Sequence, residues 1–161
     1  MSLLDVIFNR ASVRRYKNEP VPREVLLNIL EAGRRAPSAM NAQPWHFIVV
    51  TDPKIKHALS QRRWAGFVKD AAFIIVGCGE KRRRWSTVDV AIALQNMVLA
   101  AEAQGLGSCW IGDFDEKELR ELLGIPEDLK VVALVSFGYP AEKPGPRTKK
   151  PLEEIVHYNR F

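Results

Sequence analysis

The chain predicts an α+β fold. Apolar, β-branched runs at Trp45–Thr51, Ala71–Cys78, Ser108–Ile111 and Val131–Phe137 read as strands, and amphipathic or capped segments lie between them. Helices and strands alternate without a strict βαβ rhythm, which disfavours a doubly wound parallel sheet. A length of 161 residues suits a single domain spanning 1–161, and 47% apolar with 27% charged residues is an ordinary globular balance.

Ser2 can cap a short helix through Asn9, with Leu3, Leu4, Ile7 and Phe8 along one face. Asn9 to Tyr16 reads as an extended exit. Pro22 or Arg23 opens the next helix, which packs through Val25, Leu26, Ile29, Leu30 and Gly33 and must stop near Ala36, because Pro37 disfavours helical geometry in the residue before it. Asp52-Pro53 starts a helix carrying Ile55 and Leu59. The segment Ser86–Gln104 is a long helix ended by Gly105, and between Val90 and Ala101 only Gln95 and Asn96 are polar. Such a helix must be covered on several sides, by its own sheet and by another subunit. Asp115–Leu123 is an amphipathic helix ended by Gly124. The tail from Gly138 is rich in proline and basic residues and has little core of its own, so it is expected to dock on a partner, most economically a second copy.

No apolar run approaches the roughly 18 residues of a membrane helix. Asp5, Asn9 and Arg10 interrupt any signal-like stretch, so a cytoplasmic location is expected. Cys78 and Cys109 are too few and too far apart for a disulfide framework or a zinc motif and read as reduced core thiols. His46, His57 and His157 have no metal-ligand spacing. Gly77-Cys78-Gly79 follows a strand, but Arg82 stands where a dinucleotide fingerprint needs its third glycine. No P-loop and no G-x-S-x-G elbow is present, which removes most support for a hydrolase.

A net charge of +5 and a pI near 9.4 favour anionic partners. The run Lys81–Arg84 followed by Trp85 could grip phosphates and stack a base, although such runs are usually solvated turns; a nucleic-acid-binding module is the weaker reading. Arg10-Ala11-Ser12-Val13-Arg14 presents guanidinium, hydroxyl and guanidinium at alternate positions of an extended segment. If the tail folds back, Arg147, Lys149 and Lys150 join Arg10 and Arg14 around one small dianion, each charge pair at ~4 Å giving about 4 kcal/mol of gross attraction before desolvation. The loop Ala36–Pro44, with small residues between two prolines, lets a flat ligand lie close or is an ordinary connection. Gly112 in Trp110–Phe114 allows close backbone approach to a ligand.

These elements together resemble the nitroreductase family. The resemblance runs nearly end to end: R-x-S-x-R at Arg10–Arg14, A-P-S-A-M-N-A-Q-P-W at Ala36–Trp45, G-L-G-S-C-W-I-G at Gly105–Gly112, and G-Y-P followed by P-R-T-K-K-P-L in the tail. It implies a central, mostly antiparallel sheet flanked by helices in an intertwined homodimer, a short version of the family without its extra flavin-roofing helices. It also implies FMN held at its phosphate and ribityl end by Arg10, Ala11, Ser12, Arg14, Arg147 and Lys149. Pro37, Ser38, Ala39, Met40 and Asn41 from the other subunit would line the isoalloxazine, and a backbone N–H within Ile111, Gly112 and Asp113 would face flavin N5. Trp64, Phe67 and Trp85 are roof or core residues. The implied function is passage of hydride from NAD(P)H through flavin N5 to a nitroaromatic, quinone or similar flat acceptor, with no catalytic side chain and no metal. A protein of the same fold with other flavin chemistry is the alternative.

Overall fold

A computed structural model describes all residues from 1 to 161. Helix α1 (Leu3–Asn9) begins at a reciprocal cap, in which Ser2 Oγ accepts from Asp5 N–H and the Asp5 carboxylate accepts from Ser2 N–H. Helix α2 (Arg23–Arg34) ends before Pro37, as the sequence predicts. Strand β1 (Trp45–Val50) leads into α3 (Pro53–Leu59), whose first turn is capped by Asp52. Strand β2 (Phe73–Glu80) and helix α4 (Ser86–Ala103) follow, then β3 (Gly107–Ile111), α5 (Glu116–Leu123) and β4 (Leu129–Gly138). Gly105 and Gly124 take positive φ just beyond α4 and α5, where a side chain would be strained.

The sheet runs β1-β2-β4-β3 with every neighbour antiparallel. One face is covered by α2 and α4, through Ile29, Leu94, Met97, Phe73 and Phe137. The other is covered by α3 and α5, through Leu59, Leu119, Ile74, Val76 and Leu134. Strand β2 is central and buried on both sides, which is why it reads as a continuous apolar run rather than an alternating one. Both cysteines are buried free thiols. No helix is long and apolar enough to cross a membrane.

The apolar face of α1 finds no partner within the chain: only Val6 is buried, while Leu3, Leu4, Ile7 and Phe8 stay exposed. Helix α4 is likewise covered incompletely. Val90, Leu94, Met97 and Ala101 are fully buried, whereas Val88, Ile92 and Leu99, at helical spacing on another side, keep part of their surface open.

Residues 10–16 form an extended arm along the free edge of β3. Val13 N–H donates to Ser108 O at 2.9 Å, and Ser12 pairs with Ser108 in a parallel bridge. The buried Tyr16 hydroxyl donates to Val13 O at 2.9 Å and lies 2.7 Å from Ser136 Oγ. Burial pushes that phenol above its ordinary range, so it stays protonated as a donor. The tail then closes over the arm, Lys17 N–H donating to Tyr139 O and Ala141 N–H to Arg15 O.

Gly107 makes this packing possible, because a Cβ there would sit 2.5 Å from Val13 Cγ2 and 2.7 Å from Val13 Cβ. Val13 is β-branched and cannot swing aside. Gly107→Ala is therefore expected to cost about 1–3 kcal/mol in denaturant unfolding. Adding Val13→Ala should recover most of that loss; a double mutant no more stable than Gly107→Ala would show that the strain lies elsewhere.

Candidate functional site

The arm's alternation divides its side chains. Ala11 and Val13 turn into the protein, while Arg10, Ser12 and Arg14 face outward. The returning tail brings Arg147 and Lys149 to the same place, and with Pro144–Pro146 it closes a cleft of about 590 Å³ lined by Arg10, Ala11, Ser12, Arg14, Arg147 and Lys149. Lys150 lies outside it. The only carboxylate on its wall, Glu142, is paired with Arg15 at 3.2 Å. None of Arg10, Arg14, Arg147 or Lys149 has a carboxylate partner, since every ion pair of the chain lies elsewhere. Uncompensated like charges gathered at one point repel each other and bind an anion in compensation.

Arg14 and Arg147 also border a second space of about 550 Å³, so the two spaces adjoin as the two ends of a cleft. This further end is lined by Trp64, Phe67, Cys109, Trp110 and the turn Ile111-Gly112-Asp113. Gly112 faces open space, with no heavy atom within 4 Å of where a Cβ would stand. The expected backbone turn is thus at the cleft, with cationic and aromatic ends joined by two arginines. Of the three candidate roof residues, Trp64 and Phe67 border this end and Trp85 does not.

Cys109 and Asp113 flank this end, and their environments drive them apart. Burial raises the Cys109 thiol above its ordinary value, with Arg14 and Arg10 offsetting only part, so the sulfur stays protonated. Asp113 is held below the usual carboxylate value, chiefly by Trp64 N–H donating to Oδ2 at 2.9 Å and next by Arg62 Nε at 3.3 Å. This side-chain role of Asp113, tying the Trp64 segment to the turn after β3, is not what the sequence predicts, which is a backbone contact alone. The residues lie 49 positions apart, beyond the reach of any local pattern.

The loop Pro37–Asn41 does not line this cleft. Its Ala39, Met40 and neighbouring Ala42 border a separate cavity with Arg82–Trp85 and Asp89. Asp89 Oδ1 accepts from Ala39 N–H at 3.2 Å and Ser38 Oγ from Gln43 N–H at 3.0 Å, which pins the loop at both ends. Between them Met40, Asn41 and Gln43 all have φ near +50°: 55°, 53° and 49°. For Met and Gln this is a costly conformation that must be held by its surroundings. Met40 is 98% exposed, so the loop presents a strained, projecting surface.

The tie at Asp113 makes the cleft's aromatic edge sensitive to acid. Because the folded carboxyl is depressed, the tie is complete above the ordinary value near 3.9 and weakens as pH falls through the lower folded value. The emission difference between the wild type and Trp64→Phe should be constant above about pH 5 and change below about pH 4. In Asp113→Asn the segment should already be loosened at neutral pH, with faster tryptic cleavage after Arg62 and Arg63; unchanged cleavage would remove the tie.

The chain matches the model of the nitroreductase family over residues 7–66 and 57–139. It is 34% identical to a protein of Thermus thermophilus named NADH dehydrogenase, over 91% of each chain. Among solved structures it resembles an FMN-dependent nitroreductase of Clostridium difficile, with a TM-score of 0.90, 34% identity and coverage of 98% of this chain and 99% of the other. It also resembles the NADPH:FMN oxidoreductase of Vibrio harveyi, solved in complex with NAD+, with a TM-score of 0.93, 28% identity and coverage of 99% and 77%. The antiparallel sheet, the docked arm and this likeness along the whole chain agree: the protein belongs to the nitroreductase family.

Proposed function

We propose that this chain is an FMN-dependent oxidoreductase working as a homodimer, taking hydride from NAD(P)H and delivering electrons to a nitroaromatic, quinone or similar flat acceptor. The observation that carries the reading is the two-ended cleft, with four unpaired cations and a serine hydroxyl at one end and aromatic side chains beside an open backbone turn at the other. That donor set fits FMN. Arg10, Ser12, Arg14, Arg147 and Lys149 suit its phosphate, and Ile111, Gly112 and Asp113 offer backbone to one edge of its ring. The chemistry a bound FMN supplies is hydride exchange at N5.

The chain's own residues then bind, orient and exclude water. With Cys109 kept protonated and Asp113 kept ionised, neither group beside the turn is poised to exchange a proton near neutral pH. That supports a site without a catalytic acid or base. Arg14, shared by both ends of the cleft, puts positive charge where a ring gaining electrons would be stabilised.

The dimer reading rests on surfaces the single chain leaves open. The outward face of α1, the stripe Val88, Ile92 and Leu99 on α4, and Leu152, Ile155, Tyr158 and Phe161 in the tail leave apolar side chains wholly or partly open to solvent, as surfaces that meet a partner do. A second copy can cover them all at once. It would also bring its projecting Pro37–Asn41 loop, whose Met40 is 98% exposed, over the aromatic end of the cleft.

Purified protein is expected to be yellow and to release FMN on denaturation. Arg10→Ala with Arg147→Ala removes two charge-assisted contacts of about 1.5–3 kcal/mol each, so FMN affinity should fall about 100-fold or more while the fold is kept. A double mutant that purifies fully flavinated would defeat the phosphate assignment. Light scattering at micromolar concentration should give twice the 18.2 kDa chain mass, and a monomer would defeat the shared site.

A further inference from the structure

We propose that Arg82, Arg83, Arg84 and Trp85 form a dock for the adenosine 2′-phosphate end of the nicotinamide donor, so that this protein prefers NADPH to NADH. The inference rests on the oxidoreductase reading above for the donor's identity, but the site stands on its own geometry. The four residues, with Ala39, Met40, Ala42 and the buried Asp89, line an open cleft of about 370 Å³ separate from the FMN cleft.

The basic run does not behave as one solvated patch. Lys81 turns away and pairs with Glu127 at 3.8 Å. The Glu80 carboxylate is shared between Arg82 Nε at 3.0 Å and Arg83 Nε at 3.3 Å, which fixes both guanidinium groups by one corner and leaves their terminal N–H groups for another acceptor. Arg84 pairs with no carboxylate, and its Cζ lies 5.9 Å from the centroid of the Trp85 ring. Trp85 itself is 53% exposed, an indole face available to a ligand. The opposing carboxylates are Glu80, already divided between two arginines, and Asp89, engaged by Ala39 N–H. Positive charge therefore remains in excess around the cavity.

An indole flanked by guanidinium groups stacks a purine and grips a phosphate. The phosphate favoured is a monoester, because it carries about −1.5 to −2 charge at neutral pH and offers three oxygens to forked donors. NADPH has such a group on its adenosine; NADH does not. One aromatic platform and one compact arginine cluster also fit a single nucleotide better than a strand of nucleic acid, which needs a track of platforms and cations. The opposite wall supplies the link to the chemistry. Ala39 and Met40 on that wall belong to the Pro37–Asn41 loop proposed to lie over the partner's flavin, so a donor anchored by its adenosine here would have its nicotinamide directed to that flavin.

The test uses the FMN-loaded protein, calorimetric titration with 2′,5′-ADP and with 5′-AMP, and KM for NADPH and NADH. Wild type should bind 2′,5′-ADP about tenfold or more tightly than 5′-AMP, as one or more charge-assisted contacts require. Arg84→Ala, and separately Arg82→Ala with Arg83→Ala, should abolish that difference and raise the KM ratio of NADPH to NADH by a similar factor. Lys81→Ala should bind 2′,5′-ADP as wild type does. Equal affinity for the two nucleotides, or indifference of 2′,5′-ADP binding to Arg84→Ala, overturns the proposal. So does displacement of 2′,5′-ADP by a single-stranded RNA oligomer that binds more tightly through the same arginines. Flavin content read on each sample separates the two readings: a protein that holds no FMN yet loses 2′,5′-ADP binding in Arg84→Ala keeps the nucleotide dock and loses the flavoenzyme reading.

Discussion

Helix α4 has no polar side to give to water, and the rest of the molecule is arranged around that fact. The sheet takes one side through Phe73, Ile75 and Phe137, and α2 takes another through Ile29 and Gly33, where the missing side chain lets Met97 come close. What remains is the open stripe through Val88, Ile92 and Leu99. Each apolar square ångström left there forfeits about 25 cal/mol of stabilisation, so a second copy is the economical cover. The open apolar surfaces on α1 and in the tail would be covered by the same proposed association.

The second organising feature is charge held without compensation. Arg10 and Arg14 come from an arm that Val13, Gly107 and Tyr16 lock onto the edge of β3, while Arg147 and Lys149 come from a tail stitched to that arm through Tyr139 and Ala141. Several charges elsewhere are paired locally, as in Glu31 with Arg34 and Arg35, or Arg120 with Glu116. The four at the cleft differ in sharing one wall, brought there by the arm and the returning tail, and on the proposed reading a bound phosphate would relieve their repulsion.

Much of this was legible in the residues. The strands announce themselves by β-branched runs, α2 ends where Pro37 requires, and α4 and α5 end at glycines that take positive φ. Arg10, Ser12 and Arg14 share a face because an extended chain alternates. What could not be read is what depends on contacts between distant residues. The outward turn of α1's apolar face, the Asp113–Trp64 tie, and the separation of Trp64 and Phe67 from Trp85 are all of that kind. Nor does composition reveal that Met40 and Gln43 take left-handed conformations, since neither residue favours them.

That strained loop joins the two halves of the functional reading. Within its own chain it closes a cavity rimmed by arginines and a tryptophan; toward a second chain it projects Met40 almost bare. A conformation this costly persists only where the surroundings over-determine it, and here Asp89 and Ser38 hold it from inside. The loop therefore stands between the two proposed sites: its Ala39 and Met40 line the cavity of Arg82–Trp85, and on the dimer reading the same Pro37–Asn41 segment would lie over the partner's flavin.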